Sequence, residues 1–62
     1  LDYYKSGIDN FNNGKFEIAI EELKKVDVSD PNYKDAVSKI ELANQKIKEI
    51  AEKSEIEKML IY

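Results

Sequence analysis

The 62-residue sequence contains no cysteine, no histidine and no tryptophan, and each of its ten cationic residues is a lysine rather than an arginine. Without cysteine and histidine the chain cannot form disulfides, use a thiolate or an imidazole base, or build most zinc and copper sites. Without arginine it lacks the bidentate fork that suits phosphates and base edges. We therefore expect no nucleic-acid partner, no metal site and no cofactor.

Catalysis has little chemical basis in the remaining residues. Acid catalysis by paired carboxylates needs one of them buried, so that its pKa is raised. Two candidate pairs, Glu21 with Glu22 and Asp27 with Asp30, fall on a predicted polar face or in a predicted turn. We interpret both as solvated surface charge and expect a protein that is not an enzyme.

Long apolar runs are also missing. No run approaches the ~18 residues of a membrane span, and no signal peptide is visible, so we expect no direct membrane insertion. The net charge is −3, and neither half of the chain forms a basic patch. The sequence begins at Leu1 rather than at Met and is rich in Lys, Ile and Asn. We interpret it as a piece of a longer protein, and its composition as typical of a bacterium with an AT-rich genome.

The chain contains only two glycines and one proline, and two of these residues, Gly14 and Pro31, divide it into helical segments. Apolar residues at spacings of three and four predict a first helix over residues 2–12. Its end is predicted at Asn12-Asn13-Gly14, because Asn and Gly tolerate the left-handed conformation that closes a helix. A β-hairpin at Asn13-Gly14 would need alternating apolar residues on both sides, which the flanks lack. Its main apolar strip is composed of Leu1, Tyr4, Ile8 and Phe11, and Tyr3 and Gly7 form a second strip beside it.

A second helix is predicted over residues 15–27, followed by a third that starts at Pro31 and continues to at least residue 52. Ile18 is the one apolar residue off the main stripe of the second helix, and such single exposed residues are common. Tyr33 is expected to pack between the second and third helices. Ser54 with Glu57 resembles a capping box, but nothing before it ends a helix, so we favour one continuous helix. The apolar stripe of the third helix consists of Tyr33, Ala36, Val37, Ile40, Ala43, Ile47 and Ile50.

These features give the chain a resemblance to the tetratricopeptide repeat family, whose unit is a helix-turn-helix of 34 residues. The resemblance covers Leu1 to Tyr33 closely. Residues that match the family's turn, its aromatic, small and large apolar slots, and its inter-repeat corner are Gly14, Phe16, Ala19, Leu23 and Asp30-Pro31-Asn32. In the first helix, Tyr3 stands where Trp is usual and Gly7 where a small residue is usual.

The chain departs from the family pattern at several positions. Ser6 and Asn10 occupy slots that usually hold Leu and Tyr, and Lys48 stands where the next turn glycine would fall. Residues 33–62 therefore resemble a long C-terminal capping helix, and residues 1–32 a single helix-turn-helix repeat. The predicted fold class is all-α: an antiparallel helical hairpin followed by a long third helix.

The resemblance implies a non-catalytic protein–protein interaction module that binds a protein or peptide partner in the groove lined by its first helix. The members of the family that grip a C-terminal carboxylate use Lys and Asn there, whereas Tyr4 and Ile8 stand in those slots, so an apolar anchor is the expected ligand. The alternative is that this chain's own third helix covers the same face. The predicted partner-binding residues are Leu1, Tyr4, Ile8, Phe11 and Asn12.

A structural self-association domain is the alternative function. The third helix is predicted to run past a hairpin of about 18 Å, so its last turns have nothing in their own chain to contact. We expect a homodimer in which these last turns meet a partner copy together with the strip of Tyr4, Ile8 and Phe11. The other interpretation is that residues 59–62 begin a further element. The predicted self-association residues are Ile56, Met59, Leu60 and Tyr62.

Overall fold

Residues 2–59 of the protein fold into three helices, as the sequence predicts. A computed structural model describes the backbone of residues 2–59 and the side chains of residues 2–53. Helix α1 covers Tyr3–Asn12, α2 covers Phe16–Leu23 and α3 covers Tyr33–Met59. No strand occurs within residues 2–59, so the all-α fold, a hairpin followed by a longer helix, is confirmed.

The turn between α1 and α2 closes the hairpin at Gly14, where it was predicted. The backbone amide of Lys15 donates to the carbonyl of Asn10 at 2.9 Å, and the amide of Gly14 donates to the carbonyl of Phe11 at 3.1 Å. This pair of bonds is the Schellman motif, which needs a left-handed residue after the helix. Gly14 supplies it, with a φ of 77°. Without a Cβ, glycine adopts this conformation at no steric cost.

Helix α2 ends at Leu23, four residues before the predicted end at residue 27. The amides of Lys25 and Val26 donate three residues back, to the carbonyls of Glu22 and Leu23, each at 3.1 Å. This tighter turn replaces the α-helical pattern and ends the helix. Val26, which falls inside the predicted range of this helix, is instead buried from the turn.

Helix α3 begins at Tyr33 rather than at the predicted Pro31. The Asp30 side chain accepts a hydrogen bond from the amide of Asn32 at 2.8 Å, which forms a local turn around the proline. The first helical bond of α3 then runs from the amide of Ala36 to the carbonyl of Asn32 at 2.9 Å. Pro31 therefore lies just outside the helix instead of in its first turn.

Helix α3 is much longer than the hairpin against which it packs. It continues without a break past Ser54 to Met59, as predicted. Its 27 residues give a length of about 40 Å at 1.5 Å per residue, whereas the ten residues of α1 give about 15 Å. The molecule measures 51 × 17 × 13 Å. A large part of α3 therefore projects beyond the hairpin.

The core lies where the three helices meet. Leu23 is the largest fully buried side chain in the part of the chain described, and it clusters with Val26 and Ala36. Ala19 and Ala43 have no exposed surface, so small residues allow close approach in α2 and in α3. The half-buried residues around this cluster come mostly from α1 and α3: Tyr3, Tyr4, Ile8, Tyr33 and Ile40. The position of Tyr33 agrees with its predicted packing.

Replacing Ala19 with Leu is expected to destabilise the fold. Ala19 is 0% exposed, so the added side-chain atoms have no solvent to enter and must displace a neighbouring helix. Overpacking of this kind costs roughly 1 to 3 kcal/mol. A thermal melt followed by circular dichroism checks this, with the exposed Glu21→Leu change in the same helix as the control. Equal melting temperatures for the two variants would show that α2 is not closely packed at this position.

Candidate functional site

Two of the predicted partner-binding residues, Tyr4 and Ile8, contact the protein's own interior. The hydroxyl of Tyr4 donates to the Asp35 carboxylate on α3 at 2.5 Å. Ile8 packs, half-buried, against the cluster that contains Leu23. Both side chains therefore help to hold α1 and α3 in place.

The remaining predicted groove residues lie near the other end of α1 or outside the region described. The Phe11 ring meets the Phe16 ring edge to face, with centroids 5.3 Å apart at 78°. The Lys39 ammonium of α3 lies 5.9 Å from the centre of the Phe11 ring, within the range of a cation–π interaction. Asn12 is exposed at the end of α1. Leu1 lies outside the described residues.

These contacts favour the alternative in which α3 covers the α1 face. Tyr4, Ile8 and Phe11 are each half-buried, and α3 contributes a hydrogen bond to one end of the strip and a cation to the other. The contacts occupy part of the surface that a groove ligand would need. Partner binding by this strip stays a prediction.

The Tyr4–Asp35 hydrogen bond makes the attachment of α3 depend on pH at the alkaline end. The bond, followed by desolvation and the negative charge of Asp35, raises the pKa of Tyr4 above its ordinary value of 10.0. Because the pKa is higher in the folded state, the stabilisation is complete below pH 10.0 and is lost as pH rises through the higher folded value. We expect Tyr4→Phe to lower the melting temperature at neutral pH.

The same difference between wild type and Tyr4→Phe should shrink as pH rises from 10.0 through the raised pKa of Tyr4. Paired thermal melts across the alkaline range measure it, because the other titrating groups are common to both proteins and cancel. Tyr33→Phe serves as the control, since no side-chain hydrogen bond links Tyr33 to another of the described residues. A difference that does not vary with pH would contradict the assignment of this bond.

An apolar cleft opens at the end of the hairpin, between the start of α2 and the middle of α3. We call it the hairpin-end cleft. It encloses about 310 Å³. Its apolar side chains include Ile18, which is 47% exposed, and Ile50, which is 59% exposed. The complete lining is Gly14, Lys15, Phe16, Glu17, Ile18, Ile47 and Ile50.

The cleft exists because the hairpin ends while α3 continues. Ile50 follows the fully buried Ala43 by seven residues, which is nearly two helical turns and places both on the same face of α3. On this face Ala43 is fully buried, whereas Ile50 is 59% exposed. Residues 48–53 are all exposed. The sequence pattern identified Ile18, Ile47 and Ile50 singly, but not that they line one cleft.

The predicted self-association residues lie farther along α3 or beyond the region described. The helix backbone continues through Ile56 to Met59, while the side chains of both residues, and all of Leu60 and Tyr62, lie outside the described part. Position 56 follows Ile47 by nine residues, which at 100° per residue puts the two positions on opposite sides of the helix. The cleft and position 56 therefore belong to different faces of α3.

A second, polar depression of about 360 Å³ lies where α1 meets the turn between α2 and α3. The Asp27 carboxylate accepts two hydrogen bonds from Ser29, one from the backbone amide at 2.8 Å and one from the side-chain hydroxyl at 2.7 Å. These bonds hold the pKa of Asp27 below its usual value of 3.8. The ammonium of Lys25 lies 5.2 Å from the centre of the Tyr3 ring. The Asp2 carboxylate, also in the lining, caps α1 by accepting from the amide of Lys5 at 3.0 Å. The Asp27 and Asp2 carboxylates therefore serve the turn and the helix cap.

Comparison with known proteins identifies no relative. No protein-family model, no curated protein and no solved structure matches the chain. The resemblance to the tetratricopeptide repeat family therefore stays a prediction. Within residues 2–59 no helix is long and apolar enough to cross a membrane. Among the side chains of residues 2–53 there is no cluster of three or more suited to hold a metal ion.

Proposed function

We propose that this chain is a non-catalytic protein-interaction module and that the hairpin-end cleft is its binding site. The observation that supports this proposal is the convergence of Phe16 and Ile18 on α2 with Ile47 and Ile50 on α3 around one open cleft. Two of these side chains, Ile18 and Ile50, remain about half exposed. The tetratricopeptide-like arrangement of a hairpin with an added helix is part of the same proposal.

Covering the cleft would contribute a large free energy of stabilisation for so small a domain. Full burial of an aliphatic side chain contributes about 1.5 to 3 kcal/mol, and two such side chains are half exposed here. A chain of 62 residues has a core that rarely supplies more than about 3 to 5 kcal/mol. A partner that covers the cleft would therefore stabilise the domain by a substantial fraction of its total.

The form of the cleft indicates the kind of partner. It lies between two helices, is open along one side, and has a volume of about 310 Å³, at the low end of the range for small-molecule sites. An amphipathic helix can insert apolar residues into such a groove at helical spacing. Lys15 and Glu17 at the rim provide one charge of each sign and can orient the incoming segment.

Selection from a displayed library of random peptides tests this proposal. We expect the immobilised chain to enrich peptides with apolar residues at spacings of three and four. Their affinity should fall at least about tenfold for Ile50→Asp and for Ile18→Asp, because a charge in the cleft would be desolvated by the ligand. Val28→Asp is the matched control: Val28 is 75% exposed but lies in the turn between α2 and α3, away from the cleft.

Two results would overturn the proposal. One is a selection that enriches no peptide. The other is a set of peptides that bind Ile50→Asp as tightly as the parent chain, which would move binding to another surface such as the α1 strip. Circular dichroism of each variant shows that the change in binding is not a loss of fold.

A further inference from the structure

We infer that the occupant of the hairpin-end cleft is a second copy of this chain, paired so that the two α3 helices run antiparallel. The inference rests on the proposed function and names the partner of the same site. Surface area, the geometry of α3 and the charge along its exposed part support it.

The chain exposes more surface than a compact monomer of its mass, and the difference is comparable in size to a standard dimer interface. The chain exposes 5011 Å². A compact globular protein of 7.2 kDa exposes about 4,100 Å² by the usual size scaling, so the excess is about 900 Å². A standard stable interface buries about 800 Å² on each partner. The radius of gyration of 14.2 Å, against about 11 Å for a compact chain of this length, agrees with that excess.

The geometry of α3 allows two clefts to close at once. The same helix that borders the cleft at Ile47 and Ile50 continues for nine more residues to Met59, about 13 Å at 1.5 Å per residue. A two-fold axis perpendicular to α3 near Ile50 lays the projecting part of each α3 along the cleft of the other copy. The contact is isologous, so the assembly stops at two chains and needs no further surface.

The charge along this part of α3 is compatible with an antiparallel copy. Residues 46–53 carry both signs, with three Lys and two Glu. No block of one sign would repel the same segment running in the opposite direction. A strongly basic or acidic segment would have opposed self-pairing at this position.

Sedimentation equilibrium over a series of concentrations, with Ile50→Asp as the test variant, is the first experiment. We expect the parent chain to change from monomer to dimer within the micromolar range. Ile50→Asp should raise the dissociation constant at least about tenfold, since the symmetry places the substitution twice in each interface. Val28→Asp should leave the constant unchanged.

The antiparallel direction has its own test, because the chain contains no cysteine and accepts a single labelled position. The variant Lys34→Cys provides one thiol for attaching a spin label. Position 34 is exposed and lies 16 residues before Ile50. An axis near Ile50 separates the two labels by 32 residues along α3, which is about 48 Å. Parallel helices would place them about 10 Å apart. Pulsed electron paramagnetic resonance distinguishes the two distances.

The outcomes separate this inference from the proposed function. A parent chain that stays monomeric throughout the micromolar range overturns the second copy as occupant, while peptide selection can still support the cleft as a binding site. A dimer that Ile50→Asp leaves intact, or a label distance near 10 Å, also overturns it. Concentration-dependent dimerisation that is lost in Ile50→Asp, together with the long distance, supports both.

Discussion

Replacing Leu23 with Ala is expected to leave the chain largely unfolded at room temperature. Leu23 is 1% exposed, the most buried large side chain in the described part of the protein, and residues of α1 and α3 pack against the cluster that it forms with Val26 and Ala36. Removing a buried Leu side chain to Ala costs about 2 to 5 kcal/mol. A domain of this size has a total stability in the same range. Far-ultraviolet circular dichroism should show the loss of most helical signal.

The matched control is Leu42→Ala, which removes the same atoms from an α3 position that is 41% exposed. That change should alter stability by about 0.5 kcal/mol or less. Both variants are compared with the parent chain at one concentration, because association makes apparent stability depend on concentration. If Leu23→Ala melted at the same temperature as Leu42→Ala, the core would not be centred on Leu23.

Replacing Gly7 with Ala is expected to destabilise the protein, although the same change in an exposed helix stabilises it by up to about 1 kcal/mol. A Cβ at Gly7 would lie 2.6 Å from both Cγ and Cδ2 of Leu23 and 3.3 Å from its backbone nitrogen. Leu23 is fully buried, so it cannot move aside without opening the core. The clash should outweigh the gain in helix propensity, with a net loss of roughly 1 to 3 kcal/mol.

Chemical denaturation measures the free energy of unfolding of Gly7→Ala, and Asp9→Ala is the control at an exposed position of the same helix. The test depends on whether Gly7→Ala raises or lowers the free energy of unfolding. A Gly7→Ala protein that is more stable than the parent would mean that α1 and α2 are farther apart than the structure places them. Equal losses for Gly7→Ala and Asp9→Ala would mean that α1 as a whole is weakened.

The helices could be predicted from sequence because each carries its own period and its own stop signal. The closing turn follows from Gly14, since few residues other than Gly adopt the left-handed conformation there. The continuity of α3 past Ser54 follows from the absence of any breaker before it. Local signals of this kind do not depend on what the rest of the chain does.

The boundaries on either side of Pro31 could not be predicted to the residue. Helical spacing placed Val26 in α2, but the carbonyls of Glu22 and Leu23 bond three residues ahead instead of four. At Asp30 a side-chain oxygen accepts a hydrogen bond from the amide of Asn32. At both places the local turn satisfies the backbone amides about as well as a continued helix would. Small differences in packing therefore decide where the helix ends or begins.

The site was less predictable than the fold, because it depends on how elements far apart in sequence meet. The sequence could not decide whether α3 covers the α1 strip; the contact between Tyr4 and Asp35, 31 residues apart, shows that it reaches one end of it. To predict the cleft from sequence, the length of α3 would have had to be compared with the position of the Gly14 turn. Ile18 stood off the α2 stripe in the sequence, and that deviation was the one signal that could have indicated a second apolar surface.

The short connection at Gly14 also has a consequence for how fast the chain folds. Only three residues separate α1 from α2, so contacts such as that between Phe11 and Phe16 close small loops at little entropic cost. Proteins dominated by such local contacts fold in about microseconds to milliseconds. The nine residues between α2 and α3 close a longer loop, and we expect the docking of α3 to follow the hairpin and to limit the rate.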